Sequence, residues 1–177
     1  CGSCSLATAL KMSLNTSFVR MQHDLKHGAK DTADMAHRLG IPTEANGEKT
    51  LQEKDGQVYD GVILGQYLTR PIDMATGLST LADNGMYHQT HFVQKVETSS
   101  GKVLLDRSNV EGDQRIDKDV ANNVISAMEP IASYSRNHGL AGGRTSAAKS
   151  GTAQLGDTGN NKDAWFVGAT PQLATVV

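Results

Sequence analysis

The strongest constraint on the fold lies in the last third of the chain. Thr145 to Leu155 and Ala164 to Ala169 read as two strands, separated by a run of Gly, Asp, Thr and Asn that cannot continue either one. A third strand begins near Leu173. Two strands joined by a short polar turn must pair antiparallel. Within the first of them Lys149 stands among Ala147, Ala148, Ser150, Gly151 and Thr152. Side chains that small cannot shield a cation, so the segment asks what the lysine faces.

The preceding residues have a different period. Leu6, Leu10, Leu14, Phe18, Met21 and Leu25 recur at steps of four and three, an apolar helical stripe. Ser13 to Ser17 interrupts it with residues that favour caps and turns, which predicts two helices meeting at residues 13–15. His27-Gly28 supplies the stop. Lys30 to Leu39 predicts a short helix ended by Gly40 and Pro42, and residues 43–60 a loop. Pro71 to Asn84 predicts a helix burying Ile72, Ala75, Leu78 and Leu81. His91 to Val96 and Lys102 to Leu105 predict a hairpin about Ser99-Ser100-Gly101. Asp117 caps a further helix, with Val120, Val124, Ile125 and Met128 inward. Helices followed by antiparallel strands give an α+β class.

Composition narrows the function. The chain has 177 residues, enough to bury a core in one domain or a large piece of one. A formal net charge of -2 without a basic stripe, and 5% aromatic residues, argue against nucleic acid. No run reaches the length of a membrane-spanning helix. The only cysteines, Cys1 and Cys4, form a C-x-x-C that lacks a second pair for zinc and a βαβ setting for redox chemistry. A local disulfide or two idle thiols is the reading of that pair. His23 and His27 share a helical spacing, but an exposed face accounts for them better than a metal site. Trp165 and Phe166 read as core packing.

Two short motifs carry chemistry. Lys149-Ser150-Gly151-Thr152 spells K-[ST]-G-[ST] on a strand. Chance alone would place that string in roughly one of a hundred such chains, so its strand–turn–strand setting carries more weight than its spelling. Ser13-Leu14-Asn15 spells S-x-N; Ser135-Arg136-Asn137 does too, in what reads as a loop. On spacing alone Ser13 and Asn15 serve equally as helix caps, and Lys149 as an edge-strand charge that discourages aggregation.

Taken together, these segments resemble the penicillin-binding protein and serine β-lactamase superfamily. The segment Ala9-Leu10-Lys11-Met12-Ser13-Leu14-Asn15-Thr16-Ser17-Phe18 is similar to that family's S-x-N region well beyond three letters. Gly65-Gln66-Tyr67, Pro71 to Ala75 and Leu81 to Gly85 resemble the helix that its transpeptidases carry between the two motifs. The resemblance covers nearly the whole chain and is strongest to the transpeptidase domain of bifunctional class A penicillin-binding proteins of the actinobacterial, PonA-like type. It implies an extracytoplasmic serine-type D,D-transpeptidase that cross-links peptidoglycan stem peptides ending in D-Ala-D-Ala, binds β-lactams and uses no metal or organic cofactor. It assigns Ser13 and Asn15 to proton relay and orientation, and Lys149 to positive potential and the proton path. Ser150, Gly151 and Thr152 receive the substrate carboxylate and backbone, the Thr152 N–H serving as an oxyanion donor. Residues 1–143 would be the mainly helical part, with the hairpin near 91–105, and residues 144–177 the sheet strands.

The family's third motif, S-x-x-K, needs a helix, where positions i and i+3 share a face. Ser99 to Lys102 falls in a hairpin turn and Ser146 to Lys149 on a strand, so neither fits. The expectation is therefore a transpeptidase domain incomplete at both ends, its nucleophile upstream of Cys1 and its membrane attachment in the missing N-terminal part. A non-catalytic module that binds or senses peptidoglycan is the rival from another class. D,D-carboxypeptidase and β-lactamase are the rivals among enzymes.

Overall fold

The computed structural model describes residues 2–177, so the reading of the Cys1–Cys4 pair lies outside the described residues. The N-terminal stripe folds as two helices, α1 (Leu6–Lys11) and α2 (Asn15–His23). They break where cap-favouring residues cluster. α2 ends at His23 rather than running on to Gly28, and Gly28 instead precedes α3 (Ala29–Leu39). The segment read as a loop holds a minimal hairpin, β1 (Glu44–Ala45) with β2 (Glu48–Lys49), followed by a 3₁₀ turn at Asp60–Leu64.

Helix α4 (Pro71–Ala82) starts with proline in its first turn, where the missing N–H costs nothing. Its buried face departs from the apolar stripe. Leu78 is buried, but so are Asp73, Thr76, Gly77 and Thr80, while Ile72 is exposed. Polar side chains can line this face because each finds a partner. Arg70 donates twice to the Asp73 carboxylate, at 2.7 and 2.8 Å. The Thr80 hydroxyl lies 2.8 Å from the Leu39 carbonyl and 3.0 Å from that of Thr76. The approach of α3 is so close that a Cβ on Gly40 would meet the Thr76 methyl at 2.8 Å, and Gly40 sits at φ 125°. Only glycine fits both conditions.

β3 (Met86–Tyr87) pairs with β6 (Asp113–Gln114), a ladder too short to show in the sequence. The predicted hairpin is present but smaller than expected, as β4 (Lys95–Glu97) and β5 (Val103–Asp106). The Asp117 carboxylate caps α5 (Lys118–Met128) by accepting from the N–H groups of Asp119 and Val120. The inward face of α5 is largely the predicted one: Met128 is buried and Val124 and Ile125 pack on the core, while Ala121 replaces Val120, which is half exposed. The short α6 (Ile131–Tyr134) follows.

β7 (Ala147–Gln154), β8 (Asn161–Thr170) and β9 (Leu173–Val176) form one antiparallel sheet in that order. The core lies where this sheet meets the helices. Leu78, Met128, Ile131, Ala147 and Ala169 make its buried centre, with Leu10, Val124, Ile125 and Val167 packed around it. Burying Leu78 and Ile131 stabilises the fold by roughly 1.5–3 kcal/mol each. The alanines of β7 are small for a reason: α5 and α6 both lie against this strand. The architecture is α+β, as the residue patterns indicate.

Candidate active site

The bonding at the end of α1 places Ser13. Its N–H donates to the Leu10 carbonyl at 3.0 Å, and the next N–H, that of Leu14, reaches back to Ala9 at 3.0 Å. Those two bonds are a Schellman ending, in which Ser13 occupies the position that favours left-handed backbone. Ser13 adopts it, at φ 54°. Glycine or asparagine fills that position most often, so a serine there holds its backbone at a cost of about 1–2 kcal/mol. The hydroxyl caps nothing. Leu14 is the N-cap of α2, and no side-chain hydrogen bond closes that helix end.

The Ser13 hydroxyl instead meets Lys149. The lysine Nζ donates to Ser13 Oγ at 2.9 Å, across 136 positions of sequence, and to the Ser150 carbonyl at 2.6 Å. No carboxylate is paired with this ammonium among the described residues. Burial therefore acts unopposed and lowers the lysine pKa from its ordinary value. A lysine so placed is a readier proton carrier than one in water.

Among the described residues β7 lies at the edge of its sheet, paired on one side only, by β8. Lys149, Ser150, Gly151, Thr152 and Ala153 all line a cleft of about 390 Å³ beside it. Register explains the rest of the lining. Gly151 pairs with Trp165 and Lys149 with Val167, so these side chains share the cleft face of the sheet. Helix α3 contributes Thr32 and Ala36, α4 contributes Met74, and Val62 to Leu64 close the far wall. Gly151 and Thr152 are exposed. A Cβ on Gly151 would make only ordinary contact, 3.6 Å from the Trp165 Cβ. Neither its backbone nor its neighbours require a glycine.

The structure thus joins Ser13 to Lys149 and sets Ser150, Gly151 and Thr152 along one open edge. Asn15 opens α2 and is exposed, two residues from Ser13; neither residue lines the cleft, which Ser13 reaches through its bond to Lys149. Trp165 corrects the sequence reading: it is only half-buried and faces the cleft. Alternation along β8 offers two faces, and the register that sets Trp165 opposite Gly151 selects the cleft one. Phe166, also half-buried, packs its ring on His138 instead, centroids 5.5 Å apart. The cleft rim at Leu64, Tyr67 and Leu68 could not be read, because it lies at the end of a 3₁₀ turn and in the irregular chain after it.

The two S-x-x-K strings fail on geometry. Ser99 and Lys102 flank the β4–β5 turn, and Ser146 and Lys149 are three apart on extended chain. His23 and His27 serve separate carboxylates, Asp60 at 2.8 Å and Asp31 at 2.9 Å. Among the described residues no cluster of three or more His, Cys, Asp or Glu could hold a metal, and no helix is long and apolar enough to cross a membrane.

The family model of the penicillin binding protein transpeptidase domain matches residues 2–177. The chain belongs to this family. It is 56% identical over 181 residues to penicillin-binding protein 1A of Mycolicibacterium smegmatis, and 57% identical over 182 residues to penicillin-binding protein 1A of Mycobacterium tuberculosis. All of the chain is covered in both, but only 23% and 22% of those proteins. The structure of PonA1 from Mycobacterium tuberculosis in complex with penicillin V superposes with a TM-score of 0.94 at 57% identity, over 99% of this chain and 47% of that one. The chain therefore spans about a quarter of the length of these relatives, and about half of the solved structure. Its penicillin-binding transpeptidase fold is that of PonA1, with mixed helices and an open antiparallel sheet.

Proposed function

We propose that this chain is the S-x-N and K-S-G part of a serine-type D,D-transpeptidase, residues 1–143 forming the mainly helical portion and 144–177 the sheet. The observation that carries the reading is the Lys149–Ser13 hydrogen bond beside the unpaired edge of β7. A peptide ending in D-Ala-D-Ala adds to that edge as a further strand. Its carboxylate meets the Ser150 and Thr152 hydroxyls and the potential of Lys149. Gly151 leaves room for substrate backbone. A serine outside these residues attacks the penultimate carbonyl, and the Thr152 N–H stabilises the oxyanion. The peptide C–N bond breaks, and the terminal D-Ala leaves with a proton passed through Lys149 and Ser13. Asn15 orients the substrate amide. An amine of a second stem peptide then takes the acyl group and frees the serine. β-Lactams acylate that same serine, as the penicillin V complex of PonA1 supports. The parent works at the extracytoplasmic face of the membrane, anchored through a part outside this chain.

The test is the full-length parent, incubated with fluorescent penicillin and, separately, with a stem pentapeptide and an acceptor amine. Covalent labelling, D-Ala release and a new amide product are expected. Release of D-Ala with water as the only acceptor would make the parent a carboxypeptidase, and fast turnover of penicillin a β-lactamase. One observation favours the non-catalytic alternative: no helical S-x-x-K lies among the described residues. A parent that binds stem peptide but never becomes labelled would establish it.

A further inference from the structure

The β4–β5 hairpin is independent of the cleft. Its two strands pair with each other, and among the described residues no other helix or strand packs on it more than marginally. It carries exposed apolar residues, Leu104 at 60% and Val96 at 38%, and the chain leading into it holds Phe92, 90% exposed. An isolated two-stranded hairpin is marginal in water, and an uncovered strand edge is a template for pairing.

The backbone shows which edge is free. The Gln94 carbonyl accepts from Arg107 at 2.8 Å, and the Thr98 N–H donates to Lys102 at 2.9 Å. Hydrogen-bonding direction alternates along a strand, so Gln94, Val96 and Thr98 point toward β5. The register slip leaves Leu104 of β5 without an opposite residue and β4 itself regular. The N–H and C=O groups of Lys95 and Glu97 therefore face away from β5. Their side chains share one face, with Lys95 Nζ 2.6 Å from Glu97 Oε1, and Val96 projects from the other.

We propose that β4 is a self-pairing edge that joins two copies of this chain. The triplet Lys95-Val96-Glu97 is complementary to itself when antiparallel. Centred on Val96, the pairing sets Lys95 opposite Glu97 of the second copy and Glu97 opposite its Lys95. The outward backbone groups of these residues then form two closed hydrogen-bonded pairs, with four bonds in all. Each ammonium lies beside a carboxylate across the junction. Val96 meets Val96 at the non-hydrogen-bonded position, where side chains approach most closely. Symmetry makes the contact closed, so it gives a dimer and not a fibre. An interface this short belongs to the transient class, brought to effect when the copies are held close together.

The experiment uses single-cysteine variants in which Cys1 and Cys4 are both changed to serine. Val96→Cys places two sulfurs at disulfide distance across the junction. It is expected to form a covalent dimer under mild oxidation several-fold faster than Leu104→Cys, although Leu104 is the more exposed site. Adding Lys95→Glu to Val96→Cys sets carboxylates opposite one another and should abolish that advantage. Adding Glu97→Lys as well restores complementarity and should recover it. Equal cross-linking of Val96→Cys and Leu104→Cys, or no recovery in the charge swap with a native thermal melt, overturns the proposal. Co-sedimentation with phosphatidylglycerol vesicles through Phe92, without Val96 cross-linking, would also overturn it and make the hairpin a membrane contact.

Discussion

Ser13 holds a left-handed backbone that glycine would hold with less strain, and its hydroxyl serves Lys149 rather than a helix end. Ser13→Gly should therefore leave stability unchanged or raise it by about 1 kcal/mol, while slowing penicillin acylation of the parent by about a hundredfold or more. A melting temperature that falls along with the rate would mean the hydroxyl is structural. Lys149 makes the complementary case. Its charge is half-buried and answered by a hydroxyl and a carbonyl instead of a carboxylate. Lys149→Ala should cost no more than roughly half a kcal/mol of stability, yet slow acylation by about a hundred- to a thousandfold. Lys149→Arg should not restore the rate, because a guanidinium keeps its proton and needs a planar fork of acceptors. The second-order acylation constant, measured beside a thermal melt, checks both variants. Near-normal acylation in Lys149→Ala would reduce the lysine to an edge charge.

At the level of elements, strand β7 is written for two neighbours. Its first residues, Ala147 and Ala148, are buried under helices, and its later ones are exposed along the cleft. Gly151 belongs to the second part. Nothing in its own surroundings excludes a methyl group, so Gly151→Ala should keep or gain about 0.4–1 kcal/mol of stability by restricting the unfolded chain. The same methyl would stand where substrate backbone approaches, and acylation should drop. Unchanged acylation would show that no strand is added at this edge. Helix α5 offers a purely structural contrast. Asp117→Ala removes acceptors from two N–H groups and should cost about 1 kcal/mol, read as a lower melting temperature, with acylation per folded molecule unaffected.

For the whole molecule, the decisive quantity is what these residues can do alone. The Lys149–Ser13 hydrogen bond lies beside the open edge of β7, and the two S-x-x-K strings fall at a turn and at the start of that strand. This chain by itself should form no covalent adduct with fluorescent penicillin, as judged by intact mass. A stoichiometric adduct would send the search for the nucleophile back to Ser99 and Ser146. The hairpin and the cleft should behave independently, since they share no residues and lie on different elements. Charge reversal at Lys95 should leave acylation of the parent untouched.

The sequence by itself determined the local elements whose signals are local: the break at residues 13–15, the Asp117 cap, and the terminal strands. It also carried the two motif spellings, since residue types do not depend on folding. Buried faces were legible only where apolar period and burial agree. On α4 they do not, because Thr76 and Thr80 find acceptors on neighbouring backbone, and hydrogen bonds of that kind join residues as far apart as Thr80 and Leu39. The two-residue ladders could not be read, as a period of two needs more than two residues to appear. Trp165 was misplaced because a strand has two faces, and only the register with β7 says which one meets the cleft. The pairing of Ser13 with Lys149 was the tertiary structure's alone to decide. Ser13 and Asn15 have the spacing of helix caps, Lys149 that of an edge charge, and 136 residues of packed chain bring the hydroxyl within 2.9 Å of the amine.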